Sequence, residues 1–365
     1  MTEHDLLYTL TLQNATKIGD ITAKKLIQYC GSAEAVLKEK RSNLLKMDGV
    51  GEKLIKSLPD HYTSNAENEL RFIKDHHINY FYFQEEDYPE RLKHCIDGPI
   101  LLFSSGNINL KSQHIISIVG ARKITTQGIA TCEKLVEALS IYNPIIVSGF
   151  AYGTDITAQK AAIKHNLQTI GCLAHGLNQM YPKAHQKYVK QIKEHGGFFT
   201  DFWSTDDFDR KNFLKRNRII AGLSEATIVV ESAEKGGSLV TAEIANSYNR
   251  EVFAIPGRIT DTQSIGCNSL IKHQKAHLLS QPEDVPYMLN WQLETKEKPI
   301  QKQLFIEFTT EEKVIYGFLK QNGKELLDMI ALKCDMPTFR VASILLNLEL
   351  KGAIRPLPGK QYEVI

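Results

Sequence analysis

Between residues 111 and 280, short apolar runs alternate with longer stretches of helical periodicity, and no other feature of the chain restricts its fold so far. The runs are His114–Val119, Ile145–Ser148, Gln168–Leu173, Phe198–Asp201, Thr227–Glu231, Glu251–Ile255 and Ala276–Leu279. The intervening spacing predicts helices over Gln127–Ser140, Ile156–His165, Ala184–His195, Phe213–Gly222, Leu239–Tyr248 and Cys267–Gln274. Near-continuous apolar strands separated by helices imply an α/β domain with a parallel sheet covered on both faces. In such a sheet the ligand crevice lies past the carboxyl ends of the strands.

The flanks follow other patterns, as expected for a 365-residue chain that exceeds one ordinary core. Residues 1–65 read as a small helical domain, with a tight turn, Asp48-Gly49-Val50-Gly51, inside Leu44–Leu58. A helix–Gly-x-Gly–helix of this kind is SAM/helix-hairpin-helix-like and resembles a DNA motif that offers N–H groups to a phosphate. A plain helical hairpin uses the same glycines for its turn. Residues 66–110 bridge into the sheet region, giving a domain of 66–280, with turn signals at Tyr88-Pro89 and Gly98-Pro99. Residues 281–308 read as a linker, and 309–365 give three helical patterns and a final strand pair, the order of a winged helix. Its third helix, Thr338–Leu350, holds Arg340 as its one basic residue, so protein contact or packing is expected of it in place of DNA reading.

The net charge is only +2, so any nucleic-acid surface has to be local. The opening MTEHDLLYTL lacks a basic segment followed by an apolar one, and no apolar run reaches about 18 residues, so neither a secretory signal nor a membrane span is expected. Six scattered cysteines without a C-x-x-C pair fit reduced thiols in a cytoplasmic protein better than zinc or disulfides.

Three strand-end loops and one basic stretch carry the candidate chemistry. After the first strand comes Val119-Gly120-Ala121-Arg122, where one glycine turns the chain and Arg122 can fork onto phosphate oxygens. After the second, Ser148-Gly149-Phe150-Ala151-Tyr152-Gly153 can wrap an anion ahead of a helix for which Asp155 is the expected N-cap. After the fifth, Lys235-Gly236-Gly237-Ser238 leads a helix carrying Thr241 and Glu243; the order is not that of a Walker A loop, so triphosphate hydrolysis has no support. Residues 210–218, RKNFLKRNR, place Arg210, Lys211, Phe213, Lys215, Arg216, Asn217 and Arg218 in one stretch, a basic cluster with an aromatic fit to stack on an unpaired base. No nucleophile–histidine pattern and no magnesium-like carboxylate cluster is legible; His165, His175 and His185 stand apart from one another. Neither catalytic residue, metal nor cofactor is expected.

These loops, in this order, resemble the DNA-processing protein A family, also called Smf. The resemblance rests on YPERL (88–92), VGARKITTQG (119–128), VSGFAYGTDITAQKAA (147–162), HGLNQMYP (175–182), FLKRNRIIAGLSEATIVVES (213–232), GGSLVTAEIA (236–245) and VFAIPGRITDTQSIGCNSLI (252–271). It implies an extended Rossmann-like domain, single-stranded DNA binding, homodimerisation and delivery of RecA onto incoming DNA during natural transformation, without catalysis. The DNA contacts it implies are Arg122, the Gly149 loop, Lys215, Arg216, Arg218 and the Gly236-Gly237-Ser238 loop. The chain departs from the family pattern at Gln159, where a histidine is usual, and at Thr200-Asp201, where Ser-Glu is usual.

Two other readings stand beside this one. Gly236 to Glu243 loosely resembles the glycine loop of nucleotide phosphoribohydrolases, in which Glu243 would work beside Arg216. Alternatively, the chain is a scaffold that binds protein and no DNA.

Overall fold

The computed structural model describes residues 1–111, 114–292 and 308–365. The chain divides into two compact units, Met1–Leu293 and Glu294–Ile365.

The first unit opens with helices α1 (Glu3–Gln13), α2 (Asp20–Cys30), α3 (Ala33–Lys38), α4 (Arg41–Leu44), α5 (Glu52–Ile55) and α6 (Ser64–Asp75). Gly49 makes its expected turn at φ +81°, yet α4 and α5 on either side are single turns of four residues. Leu6 and Leu10 of α1 and Leu70 and Ile73 of α6 share a buried cluster with Leu101, Phe103 and Trp203, so these helices are packed onto the sheet. Polar ties reinforce the contact: the Trp203 indole donates to Gln13 at 2.9 Å, and Arg218 pairs with both Asp20 and Asp201.

After β1 (Asn79–Tyr82), the one-turn α7 (Glu90–Lys93) and β2 (Leu101–Gly106) comes the alternation expected from the sequence. It runs β3 (Ile115–Val119), α8 (Thr126–Leu139), β4 (Ile145–Ser148), α9 (Thr154–Lys164), β5 (Thr169–Cys172), α10 (Val189–Glu194), β6 (Gly196–Thr200), α11 (Asn212–Leu223), β7 (Ala226–Val229), α12 (Gly237–Ser247), β8 (Glu251–Ala254), α13 (Ile265–Lys272) and β9 (His277–Leu278). The helix expected over Ala184–His195 is shorter, with a 3-10 segment, Lys183–Tyr188, preceding α10.

The nine strands form one sheet in the order β1-β2-β6-β5-β4-β3-β7-β8-β9. From β6 to β9 all pairs are parallel; β1 and β2 add an antiparallel edge to β6. This edge lies in what the sequence presents as a bridging segment. Helix-spaced parallel strands announce themselves by rhythm, whereas this pair is joined through turns with no long helix between.

All five residues of β3 are buried, and their alternation sorts them to two faces. Ile116 and Ile118 pack under Cys132, Leu135 and Val136 of α8 and Ala158 and Ala162 of α9. Ile115 and Val119 pack on the opposite face with Ile219 and Ile220 of α11, Ala242 of α12 and Cys267 of α13. The buried polar residues of the central strands are satisfied within the sheet, as where Ser117 and Thr227 share a 2.8 Å hydrogen bond between β3 and β7.

Part of the expected linker is packed structure. Residues Asp284–Met288 form α14, and Val285 and Trp291 join the core beneath α8, because their apolar side chains complete that face. The remainder of the expected linker, 293–307, lies outside the described residues.

The second unit is a winged helix: α15 (Thr310–Asn322), β10 (Glu325–Leu326), α16 (Leu327–Lys333), α17 (Thr338–Leu350), β11 (Ile354–Leu357) and β12 (Gln361–Val364), with the strands ordered β10-β12-β11. Ile315, Leu319, Val341, Leu345 and Leu348 form its core. Arg340 is engaged by Glu311 at 2.6 Å, and Phe339, Leu346 and Leu350 are exposed on α17. Among the described residues, no helix is long and apolar enough to cross a membrane.

Candidate nucleic-acid interface

Strands β4 to β6 lie on one side of β3, and β7 to β9 on the other, so the connections leaving β3 and β7 part to opposite faces of the sheet. A crevice opens at such a switch point. Here it is a cavity of about 400 Å³, lined by the loop after β3, part of the loop after β4, the first turns of α11 and the start of α12.

Close approach fixes the glycines. A side chain on Gly120 would strike the Thr154 hydroxyl, and one on Gly153, at φ +78°, would strike the backbone of Ala121 and Arg122. The β3 loop is braced by Glu231, which accepts from the Thr125 N–H at 2.9 Å and from the Thr125 hydroxyl at 2.5 Å. In the β4 loop Phe150 sits at φ +57°, a conformation costing a bulky residue about 1–3 kcal/mol. Its ring is fully buried against Phe198 and His185, and its carbonyl accepts from His185 Nδ1 at 3.0 Å, which together offset that cost.

Beneath this loop runs Arg216, only 3 % exposed. Its Nη1 donates to the carbonyls of Gly149, at 2.6 Å, and Cys172. Asp155 faces it and accepts from the N–H groups of Gly149 at 3.1 Å and Ala151 at 3.3 Å. A Cβ on Gly149 would collide with both side chains. Burial pushes the Asp155 carboxyl up from its ordinary range, against the pull of Arg216, and the same burial draws the Arg216 guanidinium down. Asp155 is thus not the N-cap of α9, a place taken by Gly153; its carboxylate reaches back to clamp the loop preceding the helix.

The anion-attracting elements face the opening. Gly236 caps α12 without any side-chain hydrogen bond, and Gly236, Gly237, Ser238 and Thr241 line the cavity, so the positive end of that helix points into it. Arg122, Lys123 and Arg210 line it as well; none forms an ion pair among the described residues, and Asp155 is the one carboxylate in the wall. The Arg122 guanidinium lies over Phe213, which also meets Tyr181 at 5.8 Å and Phe208 at 5.7 Å between ring centroids. Lys123, Tyr181 and Phe208 lie outside the site expected from the sequence, whereas Arg210 belongs to its basic cluster. Tyr181 stands in a family motif, and Phe208 falls in an irregular loop with no sequence signal.

Of the expected site residues, Gly120, Arg122, Phe213, Arg216, Asn217, Gly236, Gly237, Ser238 and Thr241 meet at the cavity. Lys211, Lys215 and Lys235 are exposed on the same loops and helix but do not line it. Two others point elsewhere. The Ser148 hydroxyl is fully buried and donates to the Ile118 carbonyl at 2.6 Å, bracing β4 against β3. Arg218 turns toward Asp20 and Asp201, since its helical position faces α2 and lies off the crevice side of α11. Glu243, needed beside Arg216 by the hydrolase-like reading, is exposed and pairs with Lys275 at 3.3 Å outside the cavity wall. Gln159 is fully buried in α9 with neither amide atom bonded.

A family model described as DNA recombination-mediator protein A matches residues 79–290, more than half of the chain. The chain belongs to the DprA/Smf family. A DprA winged-helix model further matches residues 326–360. Protein Smf of Escherichia coli (strain K12) is 33% identical over 306 residues, covering 81% of this chain and 80% of that protein. The crystal structure of DprA from Streptococcus pneumoniae superposes with a TM-score of 0.67 at 29% identity, over 80% of this chain and 99% of that one. DprA from Helicobacter pylori, solved to describe its single-stranded DNA binding mode, matches with a TM-score of 0.53 at 26% identity, over 59% of this chain and 97% of that one.

Proposed function

We propose that this protein grips single-stranded DNA by its phosphate backbone in the cavity beyond β3 and β7, and that it loads RecA onto incoming DNA in the cytoplasm during natural transformation. The observation that carries the DNA reading is the juxtaposition of Arg122, Lys123 and Arg210, which form no ion pair among the described residues, and the uncapped start of α12. The single-stranded DNA binding described for the Helicobacter pylori relative supports it. Phosphates sit on the guanidinium of Arg122 and the first N–H groups of α12, while Phe213 offers a ring to an unpaired base. Contacts of this kind hold the backbone and read little sequence. Binding asks for no bond to be made or broken, so the role is non-catalytic. RecA loading and homodimerisation rest on the family resemblance.

The test is fluorescence anisotropy of a labelled oligothymidine. Arg122→Ala is expected to weaken binding about tenfold, in keeping with the loss of a charge-assisted hydrogen bond. Wild-type affinity in that variant overturns the site. Strand exchange by RecA on DNA pre-coated with single-strand-binding protein tests the loading role: no stimulation by this protein overturns it.

A further inference from the structure

A second positive surface lies outside the cavity. Residues 156–193 contain six lysines, at 160, 164, 183, 187, 190 and 193, and no aspartate or glutamate, in a chain whose net charge is +2. All six are exposed. Lys160 and Lys164 are one turn apart on α9, and Lys190 and Lys193 one turn apart on α10. Tyr188 joins the two groups: the ammonium of Lys160 lies 5.7 Å and that of Lys187 5.1 Å from its ring centroid. Among the described residues, the six form one ion pair, Lys190 with Glu194, at 3.9 Å and on the surface, where it is worth little.

Three neighbouring rings, beginning beside the cavity wall, lead to this surface. Ala151 lines the cavity. Its neighbour Tyr152 is 45 % exposed and stands 4.9 Å from His185, which stands 6.0 Å from Tyr188. The exposed ring of Tyr152 and the half-buried ring of Tyr188, set among exposed lysine ammonium groups, form the kind of surface on which a single strand lies, bases on rings and phosphates on charges.

We infer that a strand bound in the cavity leaves it over Tyr152 and continues across the lysine surface of α9 and α10. The inference rests on the reading of the cavity as a single-stranded DNA site. It makes the binding site longer than the cavity and divides it into a shaped grip and an electrostatic runway. Short oligonucleotides should fill only the first, and long ones both.

The experiment compares oligothymidines of ~6 and ~24 nucleotides, one near the lower end and one beyond the upper end of typical single-domain sites. For the wild type, affinity is expected to rise with length. In the triple variant Lys160→Gln/Lys164→Gln/Lys187→Gln the short oligonucleotide should bind as before, while the long one loses most of that gain. Its salt slope should fall by about 2, from the loss of three phosphate contacts at roughly 0.7 each. In the unmodified protein, the long oligonucleotide should protect these three lysines from acetylation, and the short one should not. Wild-type behaviour of the variant on long DNA, absence of lysine protection, or affinity independent of length overturns the runway. Failure of the cavity reading shows separately, as undiminished binding of the short oligonucleotide by Arg122→Ala.

Discussion

The guanidinium of Arg122 lies 5.1 Å from the ring centroid of Phe213, so the loop after β3 and the first turn of α11 meet in a cation–π contact at the mouth of the cavity. In the proposed site, this contact sets a phosphate-binding guanidinium beside a ring open to a base. Phe213→Leu is expected to weaken single-stranded DNA binding by about 1–3 kcal/mol, the usual value of one base–aromatic stack. Because Arg122 also loses its platform, the Arg122→Ala/Phe213→Leu double variant should lose less than the two single losses combined. Anisotropy titrations of the four proteins check this, and strict additivity would argue against the coupling.

Arg216 behaves as a brace. Replacing it with methionine strips the buried Gly149 and Cys172 carbonyls of their guanidinium donor and removes the charge facing Asp155, a loss of about 1–3 kcal/mol by the usual cost of an unsatisfied buried group. Adding Asp155→Asn should restore part of that stability, since the amide oxygen can still accept from Gly149 and Ala151. Urea unfolding of the single and double variants measures the difference. If Arg216→Met unfolds like the wild type but fails to bind DNA, Arg216 is a contact and no brace.

Arg218 should separate from the rest of the basic stretch. Arg218→Ala leaves Asp20 and Asp201 facing each other with no cation between, so the attachment of α2 to the sheet weakens and the midpoint of thermal unfolding falls. Below that midpoint, DNA affinity is expected to stay within about twofold of the wild type, as for a residue outside the contact surface. A tenfold loss of affinity in a folded Arg218→Ala protein would return this residue to the interface.

Acid should loosen the loop that follows β5. His175 is buried, and burial draws its pKa down from 6.5, opposed by its hydrogen bonds to Gly176 and Tyr181. The Gly176 carbonyl, 2.9 Å from Nδ1, can only accept, so Nδ1 carries the proton and Nε2 accepts from the Tyr181 N–H at 3.2 Å. Protonation of Nε2 breaks that bond. The unfolded chain therefore takes up the proton at higher pH than the folded one, and stability is full above pH 6.5 and lost as pH falls through the folded value. Denaturant midpoints measured between pH 7.5 and 5 should decline more in the wild type than in His175→Gln; equal declines would place the acid sensitivity elsewhere.

The sequence shows the strand-end loops because their constraints are local. Gly120, Gly149 and Gly236 precede helices in chain order, and each is needed where backbone or side chain passes close, as the collisions around Gly120 and Gly149 make plain. What it shows poorly is direction. Arg216 and Arg218 stand two apart in one basic run, yet the helix turns one beneath the Gly149 loop and the other toward α2, and both face acids that are distant in sequence. The same holds for Asp155, whose place at a helix start reads as a cap although its carboxylate serves the preceding loop. The β1–β2 edge was hidden because two antiparallel strands joined through turns lack the helix-spaced rhythm of a parallel sheet.

The clamp that Asp155 and Arg216 place on the Gly149 loop bears on how quickly a strand can be exchanged. A loop whose polar groups are already satisfied from below has little to rearrange when DNA arrives or leaves. If the cavity holds a strand as proposed, its turnover falls to the outer, solvated cations. On the proposed role of strand delivery, this division would let a rigid seat keep the strand in place while the surrounding charges release it a few phosphates at a time.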